Sequence, residues 1–167
     1  MNQWDKELIR IYKTLQYQFK QGQIMDKLIL KGAKLLFIEI NDKDFGSSIT
    51  LDVTDGEMRS AIETYYAEQG LAPKFKEYTN KNTGEVTKQF SIKLASFVKV
   101  QDEAGNEYSL DEVEKKIHDI KLAFGAIVNV AIRSYDYDNK FGKGKSASVS
   151  ALKVVKGAEL KDDMADL

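Results

Sequence analysis

Apolar side chains recur at every second position in three separate stretches of the chain. Between residues 127 and 137, Val128, Val130 and Ile132 fall on one side while Asn129, Arg133, Tyr135 and Tyr137 fall on the other. That is the two-residue period of a strand with one buried face. Phe90, Ile92, Leu94, Val98 and Val100 repeat the pattern, with Lys93, Phe97 and Lys99 pointing the opposite way. A shorter copy has Ile49, Leu51 and Val53 alternating with Ser48, Thr50 and Asp52. Residues 27–40, KLILKGAKLLFIEI, are rich in strand formers, and Gly32 within them predicts a bend or bulge where a long, coiled first strand turns a corner.

Helical spacing appears in three other places. Trp4, Leu8, Ile11, Leu15 and Phe19 form an amphipathic stripe that ends at Gly22. The stripe is expected to pack on the core that the strands form, the alternative being a contact with a second copy in a homodimer. Thr54 with Glu57 reads as a capping box opening a helix that runs to Gly70, and Ser109 with Glu112 as a second box opening a short helix through Val113 and Ile117. Residues 71–89 form the longest irregular piece, with NKNTGE as a hairpin tip. The sum is a mainly β chain with added helices.

At 167 residues, 43% hydrophobic and 31% charged, the chain fits one domain with appendages. It has no apolar run near the ~18 residues of a membrane span, no cysteine, and a start unlike a signal peptide, which predicts a soluble protein of a reducing cytoplasm. With a net charge of −1, nucleic-acid binding has to come from local patches.

Such a patch exists. From residue 140 to 156 there are five lysines (140, 143, 145, 153 and 156) and no acid, directly after the strand that carries Arg133, Tyr135 and Tyr137. Positive charge beside rings on a sheet suits a single nucleic-acid strand, with cations for phosphates and rings for unstacked bases. The candidate binders are Arg133, Lys93, Lys140, Lys143 and Lys145 for phosphates and Tyr135, Tyr137, Phe141 and Phe97 for bases, with Gly142 and Gly144 letting the loop fold over the strand. Lys74, Phe75 and Lys76 suggest a second groove wall, near Tyr78.

The order of features from residue 102 onward resembles the single-stranded-DNA-binding proteins of tailed bacteriophages. It runs from the acidic-glycine turn DEAGNEY (102–108) through GAIVNVAIRSYDYDNK, a glycine-lysine loop and SASVSALKVV to a short acidic end. The resemblance implies a five-stranded Greek-key barrel of the oligonucleotide-binding type that coats exposed strands, with little sequence preference, during phage replication and recombination in the host cytoplasm. The chain as a whole reads as an N-terminal amphipathic helix (1–22), the binding domain (23–157) and a short acidic tail (158–167) expected to be disordered. In the tail Glu159, Asp162, Asp163 and Asp166 face Lys161 alone. Tails of this class compete for the DNA site and recruit replication or recombination proteins, although this one ends in Leu167 rather than an aromatic.

Enzymatic readings find little footing. GKGKS lacks the first glycine of a phosphate loop, since position 139 is Asn139, and a strand pattern follows it. His118 has no metal-ligand spacing around it. Asp136 and Asp138 could hold magnesium in a metal-dependent nuclease only with a third carboxylate. The expectation is a binder without cofactor or metal. The rival from another class is an interaction or virion-assembly module that grips an acidic protein with the same face.

Overall fold

The computed structural model describes residues 6–10 and 26–159. Residues 6–10 form α1. The elements that follow are β1 (Leu28–Asp42), β2 (Gly46–Asp52), α2 (Gly56–Glu68), β3 (Phe75–Thr79), β4 (Val86–Gln101), β5 (Glu107–Tyr108), α3 (Leu110–Ile120), β6 (Ile127–Asn139) and β7 (Gly142–Lys156).

Five of the strands return on themselves. β1 pairs antiparallel with β2 and β6, β2 with β4, and β6 with β7, while β4 and β7 run parallel. The ring β1-β2-β4-β7-β6 is the expected Greek-key order of an oligonucleotide-binding fold, with β3 and β5 added along β4. Closure leaves each ring side chain either inside or outside. The alternating residues Phe90, Ile92, Leu94, Val98, Val100, Val128, Val130 and Ile132 are all buried, joined by Leu28, Leu35, Ile49, Leu51, Val149, Leu152 and Val154. Each such aliphatic side chain contributes about 1.5–3 kcal/mol relative to its exposed form.

Gly32 does what its position in the first strand suggested. It has φ +71° where the β1–β6 register shifts between Leu30 and Ala33, and its N–H donates to Asn129 Oδ1 at 2.8 Å.

α2 and α3 sit at opposite ends of β1: Tyr65 of α2 donates to the Asp26 carbonyl just before the strand, and Asn41 near the strand's end donates to Glu114 of α3. α3 opens with the expected box of Ser109 and Glu112 and buries Val113 and Ile120. The first box is different: Asp55, not Thr54, caps α2 by accepting from Glu57 N–H, while the Thr54 hydroxyl donates to Asp52. The carboxylate next to the helix start takes the capping position and leaves the hydroxyl to a turn bond. α2 buries Ile62, Tyr65 and Tyr66, and Tyr66 meets Phe90 edge-on at 5.8 Å. Burial pushes the Tyr66 hydroxyl up to about 12.

Residues 71–89 are more regular than their composition suggested. Phe75–Thr79 pair with Val86 to Phe90 in a hairpin whose tip is tied by Asn80 Oδ1, which accepts from Asn82 N–H, and by Gly84 at φ +73°. Of the N-terminal stripe only Leu8 is described, and it is 57% exposed. Trp4, Ile11, Leu15, Phe19 and residues 160–167 of the acidic end lie outside the described residues.

Tyr65 ties α2 to the ring. Its ring is fully buried, and its hydroxyl donates to the Asp26 carbonyl at 3.2 Å and accepts from Ser134 N–H at 3.0 Å. Tyr65→Phe would strand both partners, so urea unfolding is expected to show a loss of about 1–3 kcal/mol. An unchanged midpoint would mean that water replaces the hydroxyl without cost.

Candidate nucleic-acid interface

Hydrogen-bond register assigns every strand residue to the inside or the outside of the ring. One outer row runs Glu39, Ser48, Lys93, Ser148, Arg133 across β1, β2, β4, β7 and β6. Neighbouring strands are about 4.8 Å apart, so Lys93 and Arg133 stand roughly 10 Å from each other with Ser148 between them. Both are exposed, and Ser148 is 8% exposed.

Beyond this row β6 and β7 leave the ring as a two-stranded arm, because β1 pairs with β6 no further than Ile132 and β4 meets β7 first at Ser148. On the outer side of the arm Tyr135 lies opposite Ser146 and Tyr137 opposite Gly144. The two rings are 42% and 40% exposed. Large side chains from β6 therefore stand over small ones on β7. The expected grouping of Arg133, Tyr135 and Tyr137 on one open face is present.

Lys143 and Lys145 do not join that face. They lie opposite Asp138 and Asp136, and Lys143 Nζ is 3.8 Å from Asp138 Oδ2. They share the side of Ala147 and Val149, which point inward where the arm enters the ring. Period two carries that inward side out along the arm as a second exposed face, charged and balanced, opposite the tyrosines. Both acids that might have served a metal thus face a lysine.

The tip is a two-residue turn of Lys140 and Phe141, with Phe141 N–H donating to Asn139 Oδ1 at 2.9 Å. Phe141 is 88% exposed, and Lys140 Nζ lies 5.1 Å from its ring centre. Gly142, at φ +130°, supplies the turn's backbone. Gly144 has no such backbone demand, so only one of the two glycines acts in folding the loop.

Phe97 is 72% exposed on a bulge where the register shifts between Leu94 and Lys99 of β4, which pair with Val149 and Ala151 of β7. The bulge keeps it close to the Lys93 and Arg133 row, on the side away from the tyrosines. Phe75 turns the other way. It pairs with buried Phe90, their rings 5.7 Å apart, and packs on the core. Lys74 is exposed just before β3, and Lys76 points outward opposite Gln89.

The outer face also holds a groove that periodicity did not reveal. Its volume is about 580 Å³, and its lining includes Thr50, Ser91, Gln89 and Thr87 as floor, with Lys34, Phe37 and Phe124 on one side and Lys76 and Tyr78 on the other. Phe37, Tyr78 and Phe124 are 57%, 57% and 66% exposed, and Lys34 Nζ lies 4.9 Å over the Phe124 ring. Asp52 and Glu85 add negative charge to the lining. Thr50 and Ser91 hydroxyls are bonded to each other at 2.8 Å, two residues along β2 and β4 from the Ser48 and Lys93 pair of the outer row. The groove and the arm thus belong to one continuous outer surface carrying rings and cations at both ends.

No family model and no curated protein sequence matches the chain. Among solved structures, the single-stranded DNA-binding protein from bacteriophage Enc34, as a C-terminal truncation, is similar with a TM-score of 0.52 at 18% identity, over 80% of this chain and 86% of that one. The chain shares their oligonucleotide-binding fold. The Enc34 protein in complex with single-stranded DNA gives 0.52 at 19% identity, over 82% and 90%, and the Enc34 protein without truncation gives 0.51 at 20%, over 83% and 85%. The fold expected from the resemblance is present across the ring, including β1 and β2, which lie before the residues that carried the resemblance.

Phe45, 73% exposed in the β1–β2 turn, was also invisible to periodicity. Its turn is held by Asp42, whose carboxylate accepts from Asp44 and Phe45 N–H groups at 2.9 Å each. These backbone bonds, that of Phe45 first, hold the Asp42 carboxyl below its ordinary value. A carboxylate lowered by folding stabilises above its unfolded value and loses that contribution as the pH falls through its folded one. Amide exchange should therefore show Asp44 and Phe45 protected at neutral pH and released as acid protonates the Asp42 carboxylate, with Asp42→Ala unprotected throughout. Equal protection in that variant at neutral pH would remove Asp42 from this role.

Proposed function

We propose that this protein binds single-stranded DNA with little sequence preference, along the outer face that joins the β6–β7 arm to the groove on β1, β2, β4 and β3. The observation that carries the reading is the shared outer side of Arg133, Tyr135 and Tyr137 with Lys93, in register across β6, β7 and β4. Every base has a π-face and every nucleotide a phosphate, so exposed rings interleaved with cations suit an unpaired strand of any sequence. A duplex hides its base faces and offers only phosphates.

In this reading Arg133, Lys93, Lys34, Lys76 and Lys140 meet phosphates. Tyr135, Tyr137, Phe37, Tyr78 and Phe124 stack on bases, with Phe97, Phe45 and Phe141 at the margins. Lys143 and Lys145, paired across the arm with acids, contribute through the general field. The shared fold with the Enc34 protein, one of whose structures is a complex with single-stranded DNA, supports the choice of ligand. Coating of strands in phage replication or recombination, without catalysis, is the role that follows. Recruitment of replication or recombination proteins through the acidic end and a homodimer contact through the N-terminal stripe belong to the same proposal.

Binding to an oligothymidylate should fall steeply with salt. About five phosphate contacts give a slope near −3.5, or roughly a hundredfold loss between about 50 and 200 mM salt. Removing Arg133 and Lys93 together should flatten that slope by about 1.4, whereas removing Lys143 and Lys145 should leave it nearly unchanged. The reverse result would move the strand to the charged side of the arm. An affinity indifferent to salt would exclude strand binding through these cations, and no binding at all of an oligomer of about 30 nucleotides would favour an acidic protein partner.

Alanine at Tyr135 or Tyr78 should each cost about 1–3 kcal/mol of binding with little change in melting temperature. If only the Tyr135 variant loses affinity, the strand stays on the arm and bypasses the groove.

A further inference from the structure

Gly144 lies within β7, in a backbone conformation that side-chain-bearing residues readily adopt. A glycine inside a strand weakens it, so its presence calls for a reason other than a turn. Space supplies one. A Cβ placed on Gly144 would come within 2.5 Å of Tyr137 Cζ and 3.0 Å of Cε1, and closer still to the hydroxyl oxygen. Those atoms are the far end of the side chain, so the ring of Tyr137 reaches from β6 across β7 and occupies the place where a neighbouring side chain would stand.

We propose that Gly144 is a positioning residue for Tyr137: the missing side chain is a seat that lays the ring across the arm and holds it ready for a base. This rests on the single-strand reading of the outer face. A ring already laid down loses less freedom when a base arrives than one that swings in solvent, and that saving appears as affinity. Any Cβ at residue 144 must lift the ring, because the ring is the part able to move. Tyr135, opposite Ser146, has no such seat, so the two tyrosines differ in how firmly they are presented.

The test uses the full chain and a labelled oligothymidylate of about 30 nucleotides, longer than the roughly 4–16 that domains of this fold cover. Gly144→Ala should weaken binding by about fivefold or more, the lower end of what losing one stacked base costs. Tyr137→Ala should do the same, and the double variant should be no weaker than Tyr137→Ala alone, since a seat without its ring has nothing to hold. A Gly144→Ala protein that binds like wild type beside a weakened Tyr137→Ala overturns the seat and leaves the single-strand reading intact. Losses that multiply in the double variant overturn it as well. A second readout needs no DNA. Ring current should displace the Gly144 α-proton resonances in wild type and in Tyr137→Phe, and the displacement should vanish in Tyr137→Ala. Undisplaced resonances in wild type would sink the seat even if no variant bound DNA at all.

Discussion

Cross-strand register between β6 and β7 is the constraint on which the candidate interface depends. Within the ring it sends Val128, Val130 and Ile132 inward with Val149, Leu152 and Val154. The same pairing continues past the ring's edge, where there is no longer an inside. What was the buried side becomes the face of Asp136, Asp138, Lys143 and Lys145, and what was the outer side keeps Tyr135 and Tyr137. A slip of one residue would exchange the two faces, and the core contacts of Val128, Val130 and Ile132 forbid that slip. The hydrophobic core thus sets which way the tyrosines point, far from any contact with them.

The ring also explains why the interface is spread over strands remote in the chain. Parallel pairing of β4 with β7 brings Lys93 beside Ser148 and so into the row of Arg133. Antiparallel pairing of β2 with β4 brings Thr50 to Ser91, and the β3–β4 hairpin adds Lys76 and Tyr78 as the far wall of the groove. Small floor residues and large wall residues therefore come from different strands. That division leaves an open groove between the large side chains.

Charge behaves less simply than the lysine count suggests. Five lysines within 17 residues are a strong local excess, yet two of them stand opposite aspartates on the other face, and Lys140 lies over Phe141. The outer groove mixes Lys34 and Lys76 with Asp52 and Glu85. Net local charge is a long-range property, but a phosphate contact needs a particular side chain on a particular side. The two descriptions part company on the arm.

Period-two alternation alone identified β4 and β6 and divided their side chains correctly into core and surface, because burial of one face dictates residue type directly. The same parity, extended from Val149 through Ala147 to Lys145 and Lys143, could have shown those lysines turning away. Phe37 escaped because a bulge next to Leu36 breaks the alternation, and β3 escaped because an edge strand with one half-buried ring needs no alternating pattern. Phe45 and Phe124 sit in connections, where no period exists. Local sequence determines which face of a strand is greasy, since that depends on the strand's own side chains. Which strands lie side by side, and hence which rings and cations share one surface, was decided only by closure of the ring through pairings between residues far apart in the chain.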